Sequence, residues 1–250
     1  MDDAAKPRVL GAAPEGAKDA ESASRAVREM FTAIAPRYDL LNHLLSANID
    51  KLWWRRTART FSAILARPEA QVLDLCCGTG DMAFALRRQG SEAHITGADF
   101  SHAMLVRATA KSDQRQKMRW IEADALRLPF PDESFDLVTS AFGFRNLADY
   151  GAGLREIRRV LRPGGQFGIL EFSEPSGLLG KFYNVYFKYV LPRIGRLVSG
   201  STGAYAYLPA SVQRFPEPQE LLERMRAAGF RKASWEPYTF GIAGLYRGKR

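Results

Sequence analysis

From Ser22 to Leu65 the apolar residues recur at helical spacing, in RAVREMFTAIAPRYDLLNHLLS and again in KLWWRRTARTFSAIL, with Pro36 as the interruption. The pattern predicts a helical lead-in over residues 22–66. After Pro68 the texture changes to short apolar runs of strand type: Val72–Leu75, His94–Asp99, Met118–Ala123, Phe135–Ala141 and Gln166–Phe172. Helical spacing fills Asp81–Arg88, Ala103–Lys111 and Ala152–Leu161, the last closed by Pro163, Gly164 and Gly165. A helix over Pro218–Ala228 then precedes two further strands near Lys232–Pro237 and Gly241–Tyr246. Strands alternating with helices predict an α/β fold with a parallel sheet covered by helices. Residues 1–21, mostly Ala, Gly, Pro and charge without periodicity, are expected to be a disordered tail, and 22–250 a single domain.

Composition changes this picture little. The chain of 250 residues, 46% hydrophobic and 25% charged, is of ordinary globular type. Acids in the opening MDDAAKPRV argue against a signal peptide, and no stretch offers the ~20 apolar residues of a membrane span. A cytoplasmic location is expected. Cys76 and Cys77 are adjacent, without metal or redox spacing, and read as small buried residues. The formal charge of +9 suits an anionic partner. In the absence of a basic run of the nucleic-acid type, a membrane surface is the expected partner and nucleic acid is not.

VLDLCCGTGD, residues 72–81, breaks from an apolar run into Gly78, Thr79 and Gly80, and with Ala83 it satisfies G-x-G-x-x-A, the dinucleotide fingerprint. Charge placement argues against a pyrophosphate. Asp81 opens the following helix and Asp74 closes the loop from the strand side, so two carboxylates flank the position of an anion. A ligand with an ammonium, a sulfonium and a neutral adenosine suits them better, which predicts S-adenosylmethionine, with no metal. Asp74 is then expected to bind the amine, Asp99 at the end of the second strand the ribose hydroxyls, and Asp124 after the third strand the adenine amine. The backbone N–H of Ala125 is expected to meet the adenine ring.

With these residues in view, the sequence resembles the class I S-adenosylmethionine-dependent methyltransferases. It resembles more closely the quinone-biosynthesis C-methyltransferases, which act on demethylmenaquinol and related ubiquinone precursors. The resemblance runs from about Ser24 to Arg250, and is carried by YDLLNHLLSANIDKLW (38–53), DLCCGTGD (74–81), FGFRN (142–146), RVLRPGGQFGILEFS (159–173) and YVLPRIGRLV (189–198). The family pattern usually has Met at Leu41, His at Asp50, Gly or Ala at Cys76 and Cys77, and a cofactor-contacting Ser at Ala141. The resemblance implies a Rossmann-like, seven-stranded, mainly parallel sheet with helices on both faces and an antiparallel last strand. It makes residues 22–66 a lid and 174–215 a helical insertion on the substrate side. It also implies that Thr79, Asp99, Asp124, Ala125 and the backbone of Ala141 line the cofactor site, with Tyr38 closing over it.

The implied reaction is transfer of a methyl group to a ring carbon of a polyprenyl quinol, demethylmenaquinol to menaquinol before the equivalent benzoquinol step or another small molecule. A ring carbon becomes nucleophilic when a neighbouring hydroxyl loses its proton, so the phenolate must be held. FGFRN follows the fourth strand, and the resemblance points to Arg145 and Asn146 there. Arginine stays protonated, so Arg145 is expected to stabilise the phenolate and orient water, with Asn146 holding that water. Its alternative is a structural pair with Glu171. His43 is a second candidate base. A nucleic-acid methyltransferase is expected to carry an N-P-P-Y motif where FGFRN stands, and a non-enzymatic adenosyl-binding module to tolerate loss of Arg145. The segment 176–192, SGLLGKFYNVYFKYVLP, places Leu178, Leu179, Phe182, Tyr186 and Tyr189 near one helical face. With Lys181, Lys188, Arg193 and Arg196 it is expected to meet an anionic membrane surface reversibly, or to serve as a lid or homodimer contact.

Overall fold

A computed structural model describes residues 11–250 except 13, 15, 39–45, 47, 91, 113–117, 174 and 176–202. His43, Leu41 and the aromatic, basic segment with Lys181, Lys188, Arg193 and Arg196 therefore lie outside the described residues. Among the described residues the helices are α1 (Ala20–Ile34), α2 (Ile49–Thr60), α3 (Ser62–Leu65), α4 (Asp81–Gln89), α5 (His102–Lys111), α6 (Tyr150–Val160), α7 (Gly203–Arg214) and α8 (Pro218–Ala227). The strands are β1 (Gln71–Leu75), β2 (His94–Asp99), β3 (Met118–Glu122), β4 (Phe135–Ala141), β5 (Leu161–Phe172), β6 (Arg231–Tyr238) and β7 (Ala243–Lys249). The sheet runs β3-β2-β1-β4-β5-β7-β6. All pairs are parallel except those of β7, which lies antiparallel between β5 and β6. The expected Rossmann-like seven-stranded sheet is the one observed.

Side chains alternate across the sheet and give each face a core. Leu73 and Leu75 of β1 pack with Leu154 and Ile157 of α6, whereas Val72 packs with Leu86 of α4, Trp54 of α2 and Leu65. Because both faces are covered, the central strands read in sequence as nearly continuous apolar runs. The chain leaves β1 towards β2 and β3, then returns to β1's other side with β4. That reversal opens a crevice at the carboxyl ends of the strands between β1 and β4, the position where such sheets bind ligands.

Local chemistry sets the helix ends. Asp19 and Ser22 form a reciprocal capping box that starts α1, with the Ser22 N–H donating to Asp19 Oδ1 at 2.8 Å. Asp149 caps α6 through the Ala152 N–H. Two expectations shift. The expected tail is not free throughout: Gly11 and Ala12 are buried, and the Ala12 N–H donates to the Leu147 carbonyl at 2.7 Å. A Cβ on Gly11 would lie 2.2 Å from that carbonyl, so only glycine fits the contact. The fifth strand begins earlier than expected, because Leu161 already pairs with Phe135, and Pro163, Gly164 and Gly165 produce a register shift inside the strand instead of preceding it.

Candidate active site

A cavity of about 450 Å3 fills the crevice, within the range of roughly 300–1,000 Å3 usual for small-molecule sites. Tyr38, Asp74, Gly78, Thr79, Asp99, Asp124, Ala125, Ala141, Arg145 and Asn146 all line it. The sequence-predicted residues are thus brought together, with Gly80 set just behind them. Gly80 has φ +89 and starts α4, and a Cβ there would lie 2.5 Å from the Trp120 ring. Its role is to let the loop turn close to β3's aromatic side chain.

The polar end of the cavity is built on β1, β2 and the glycine loop. Asp74 is fully buried on β1 opposite Thr139 of β4, whose hydroxyl donates to Oδ1 at 2.9 Å. The other oxygen, Oδ2, has no hydrogen-bond partner among the described residues. Burial, opposed by the Thr139 hydroxyl, pushes the Asp74 carboxyl up to about 7. Asp99 accepts the Gly78 N–H at 2.8 Å on one oxygen and the Ser101 N–H at 2.9 Å on the other. It fastens the loop as well as facing the cavity, and burial raises its carboxyl to about 6 against those amides. Asp124 is exposed at the rim and turns its own backbone by accepting the Leu126 N–H at 2.9 Å, which leaves the Ala125 backbone at the wall.

Lys111 modifies the charge balance read from the sequence. Its ammonium lies 2.9 Å from Asp81 Oδ1 and donates to the Thr79 hydroxyl at 3.0 Å. Asp81 is therefore compensated, and the uncompensated carboxylates of the polar end are Asp74 and Asp99. They suit a cation more than a phosphate: a buried carboxylate oxygen without a donor is matched by an ammonium. Among the described residues no group of His, Cys, Asp or Glu is placed to hold a metal ion.

The other end is apolar, and no single sequence motif marks it. Trp53 of α2, Phe142 after β4 and Phe172 at the end of β5 form an aromatic cluster, with ring centroids 5.8 Å apart for Trp53 and Phe142 and 4.4 Å for Phe142 and Phe172. Leu208 and Ile242 complete that end, and buried Asp50 of α2 also lines the cavity. Phe142 has φ +58, a conformation unusual for an aromatic residue. Cys76, also at positive φ (+53), packs against Gly143, where a Cβ would lie 2.4 Å from the Cys76 Cβ.

Between the two ends stands FRN. Arg145 is buried and its Nη1 lies 3.0 Å from Glu171 Oε2, with further donations from Nη1 to the Phe142 carbonyl and from Nε to Ser211 Oγ at 3.3 Å. The Arg145 main-chain N–H donates to Glu171 Oε1 at 3.0 Å. The structural pair with Glu171, weighed as an alternative, is present. Nη2 has no acceptor among the described residues, so this nitrogen is the part of the guanidinium left for a ligand. Asn146 Oδ1 accepts from the Tyr207 hydroxyl at 3.1 Å, which turns the amide nitrogen away from Tyr207. Tyr207 lies 61 positions from its partner, in α7, beyond reach of any local pattern.

The sequence model of the ubiE/COQ5 methyltransferase family matches residues 18–250. A relative named demethylmenaquinone methyltransferase from Deinococcus radiodurans is 51% identical over 234 residues, 93% of this chain and 95% of its own length. One of the same name from Thermus thermophilus is 51% identical over 88% of this chain and all of its own. The ubiquinone/menaquinone biosynthesis C-methyltransferase of Geobacter sulfurreducens is 44% identical over 90% of this chain and 88% of its own. Among solved structures, a SAM-dependent methyltransferase from Thermotoga maritima aligns with a TM-score of 0.63 at 21% identity, over 89% of this chain and 99% of that one. The cyclase SpnF aligns at 0.67 and 18% identity, over 97% and 99%. A cyclase on this architecture illustrates that the fold alone does not fix the chemistry.

Proposed function

Because the chain belongs to the ubiE/COQ5 methyltransferase family, we propose that it transfers the methyl group of S-adenosylmethionine to a ring carbon of a polyprenyl quinol, demethylmenaquinol in the first place. The observation that carries this reading is one cavity with two chemistries, a carboxylate-lined end and an aromatic end, with Arg145 and Asn146 between them. The equivalent benzoquinol is the second substrate, favoured by the relative named for both pathways.

When bound, the cofactor supplies an electrophilic methyl on a sulfonium. Asp74 Oδ2 meets its ammonium, Asp99 its ribose hydroxyls, Asp124 and the Ala125 backbone its adenine, and Thr79 and the glycine loop flank the methionine part. Tyr38, after α1, closes the cavity over Gly78. The aromatic end excludes water and holds the quinol ring, while Arg145 Nη2 and the Asn146 amide nitrogen hold the oxygen that carries negative charge as the ring attacks. Fixed donors in a dry site stabilise such a charge without reorganising. The quinol hydroxyl would give its proton to water, and the ring carbon would take the methyl as the methyl–sulfonium bond breaks to leave a neutral thioether. The ring proton would then pass through water to the oxygen; Arg145, pinned by Glu171, acts on charge and on that water rather than as the base. No helix among the described residues is long and apolar enough to cross a membrane; a prenyl-tailed quinol partitions into the bilayer, and on this reading it is met at the membrane surface.

The test offers labelled S-adenosylmethionine with demethylated naphthoquinol and benzoquinol in parallel. Label in the naphthoquinol product at the higher kcat/KM is expected. Transfer to neither quinol would overturn the reading.

A further inference from the structure

Several basic side chains on the surface are matched: Arg56 pairs with Glu236, Arg67 and Arg162 with Asp136, and Arg28 with Glu122. Lys51, Arg55 and Arg59 are different. They recur at every fourth position along the exposed side of α2, and with Arg88 of α4 they line a groove of about 540 Å3 between the two helices. None of the four makes an ion pair with a described residue, and the groove's one acid, Asp81, is held by Lys111. Four unmatched cations side by side repel one another, an arrangement that suits an anionic surface.

Two exposed apolar side chains lie on α2 and in the turn packed against it. Leu52, next to Lys51 on α2, is 60% exposed, and Phe240, in the turn between β6 and β7, is 85% exposed. Thr239, Phe240 and Gly241 have successive φ values of +44, +56 and +88. The turn therefore holds an aromatic residue in water and in a backbone conformation that favours glycine. It is fixed to α2, since Trp53 Nε1 donates to the Thr239 hydroxyl at 2.7 Å. The cavity reaches α2 and this turn too, because Ile49, Asp50, Trp53 and Ile242 line it.

We infer that the outer side of α2, Arg88 and the Phe240 turn form a docking face for an anionic phospholipid bilayer, setting the aromatic end of the cavity against the membrane. Basic groups next to a large exposed apolar side chain are the two ingredients of reversible interfacial binding. A soluble polyanion would use the cations but not Leu52 and Phe240. The inference rests on the proposed prenyl-tailed substrate, and assigns the docking to residues outside the cavity.

Co-sedimentation of the full chain with phosphatidylglycerol/phosphatidylcholine vesicles, and with phosphatidylcholine alone, tests it at low and high salt. Each basic residue near an anionic surface contributes about fivefold in partitioning, so Arg55→Glu/Arg59→Glu is expected to weaken binding by about 25-fold or more. Arg155→Glu/Arg231→Glu, at exposed positions away from α2 and with the same change in net charge, is the control and is expected to bind nearly as wild type. Phe240→Asn, which tolerates the left-handed backbone, is expected to bind less while its Tm stays equal or rises. All three are expected to methylate a tail-less quinol as wild type does. Equal loss in the control and the α2 variant would overturn the docking face in favour of net charge alone. Full vesicle binding by Phe240→Asn and by the α2 variant would also overturn it. Absence of binding by wild type that still methylates the prenyl quinol in detergent would overturn membrane docking and leave the reaction standing. Failure on that quinol as well would overturn the proposed substrate.

Discussion

Replacing Arg145 by Met leaves Glu171 fully buried with two backbone donors, the N–H groups of residues 145 and 172, and no counter-charge. Breaking one side of such a buried pair costs about 3–5 kcal/mol. At roughly 2–4 °C per kcal/mol for a domain of this size, Tm is expected to fall by about 6–20 °C. Glu171→Gln, nearly the same shape, removes the counter-charge of the guanidinium instead and leaves it the Phe142 carbonyl, Ser211 Oγ and one amide oxygen as acceptors. The double variant Arg145→Met/Glu171→Gln removes both charges. It is expected to be more stable than the sum of the two single losses by about 2–3 kcal/mol, within the range of contacting pairs. Denaturant titrations of the four proteins measure this directly. Turnover divides the variants differently, because Arg145→Met removes Nη2 from the cavity and is expected to lose about 100-fold or more in kcat, the scale of a lost oxyanion donor. Additive stability losses would refute the pairing. Turnover of folded Arg145→Met within tenfold of wild type would refute the role of Nη2.

Asp74 and Asp99 carry raised carboxyl pKa values, so the ligand-free protein holds protons that the unfolded chain releases above pH 4. Their contribution to stability is therefore complete below about pH 4 and is lost as pH rises through about 6 for Asp99 and 7 for Asp74, a slope that pH-dependent denaturation of wild type and Asp74→Asn compares. Cofactor affinity has the opposite slope: the ammonium needs ionised Asp74, so calorimetry is expected to show a loss approaching about tenfold per unit well below pH 7, absent in Asp74→Asn. Tyr207→Phe removes the donor to Asn146 Oδ1 and frees the amide to rotate. A fall in kcat with unchanged S-adenosylmethionine affinity and Tm is expected, and a fall in affinity alone would reject the assignment. Gly80→Ala drives a Cβ into Trp120 at a position with φ +89, and is expected to cost more than the ~1–2 kcal/mol of left-handed strain alone, read as a Tm drop beside Gly16→Ala, where φ is +82 and nothing lies near.

The sheet was legible because its rules are local. The run VLDL read as a buried strand, the glycines marked the turn, and the three acids read at successive strand ends line one cavity. What the sequence hid depends on distant partners. Lys111 sits 30 positions from Asp81 and neutralises it, so half of the charge reasoning about the loop dissolves on folding, although the ligand class it selected stands with Asp74 and Asp99. Tyr207 and Ser211 reach Asn146 and Arg145 from α7 across 61 and 66 positions. Gly11 and Ala12 carry no periodicity because they dock through one backbone bond and a close approach, not through a buried stripe.

The position of β7 has a consequence for the order of assembly. β6 is made first yet hydrogen-bonds only to β7, while β5 presents an open edge until β7 fills the gap. During synthesis β6 and α8 must wait, tethered beside an unfinished sheet, for the seven residues Ala243–Lys249 to arrive. Until then Phe167, Ile169 and Leu170 stand along a strand paired on the β4 side only, its open edge a template for the strands of other chains. The closing step draws the following Arg250 in as well, its N–H donating to the Gly165 carbonyl at 2.9 Å and its guanidinium to the Leu161 carbonyl and Glu133. A lesion confined to β7 thus acts as an assembly defect, seen as aggregation of newly made protein more than as altered chemistry in the molecules that reach the finished fold.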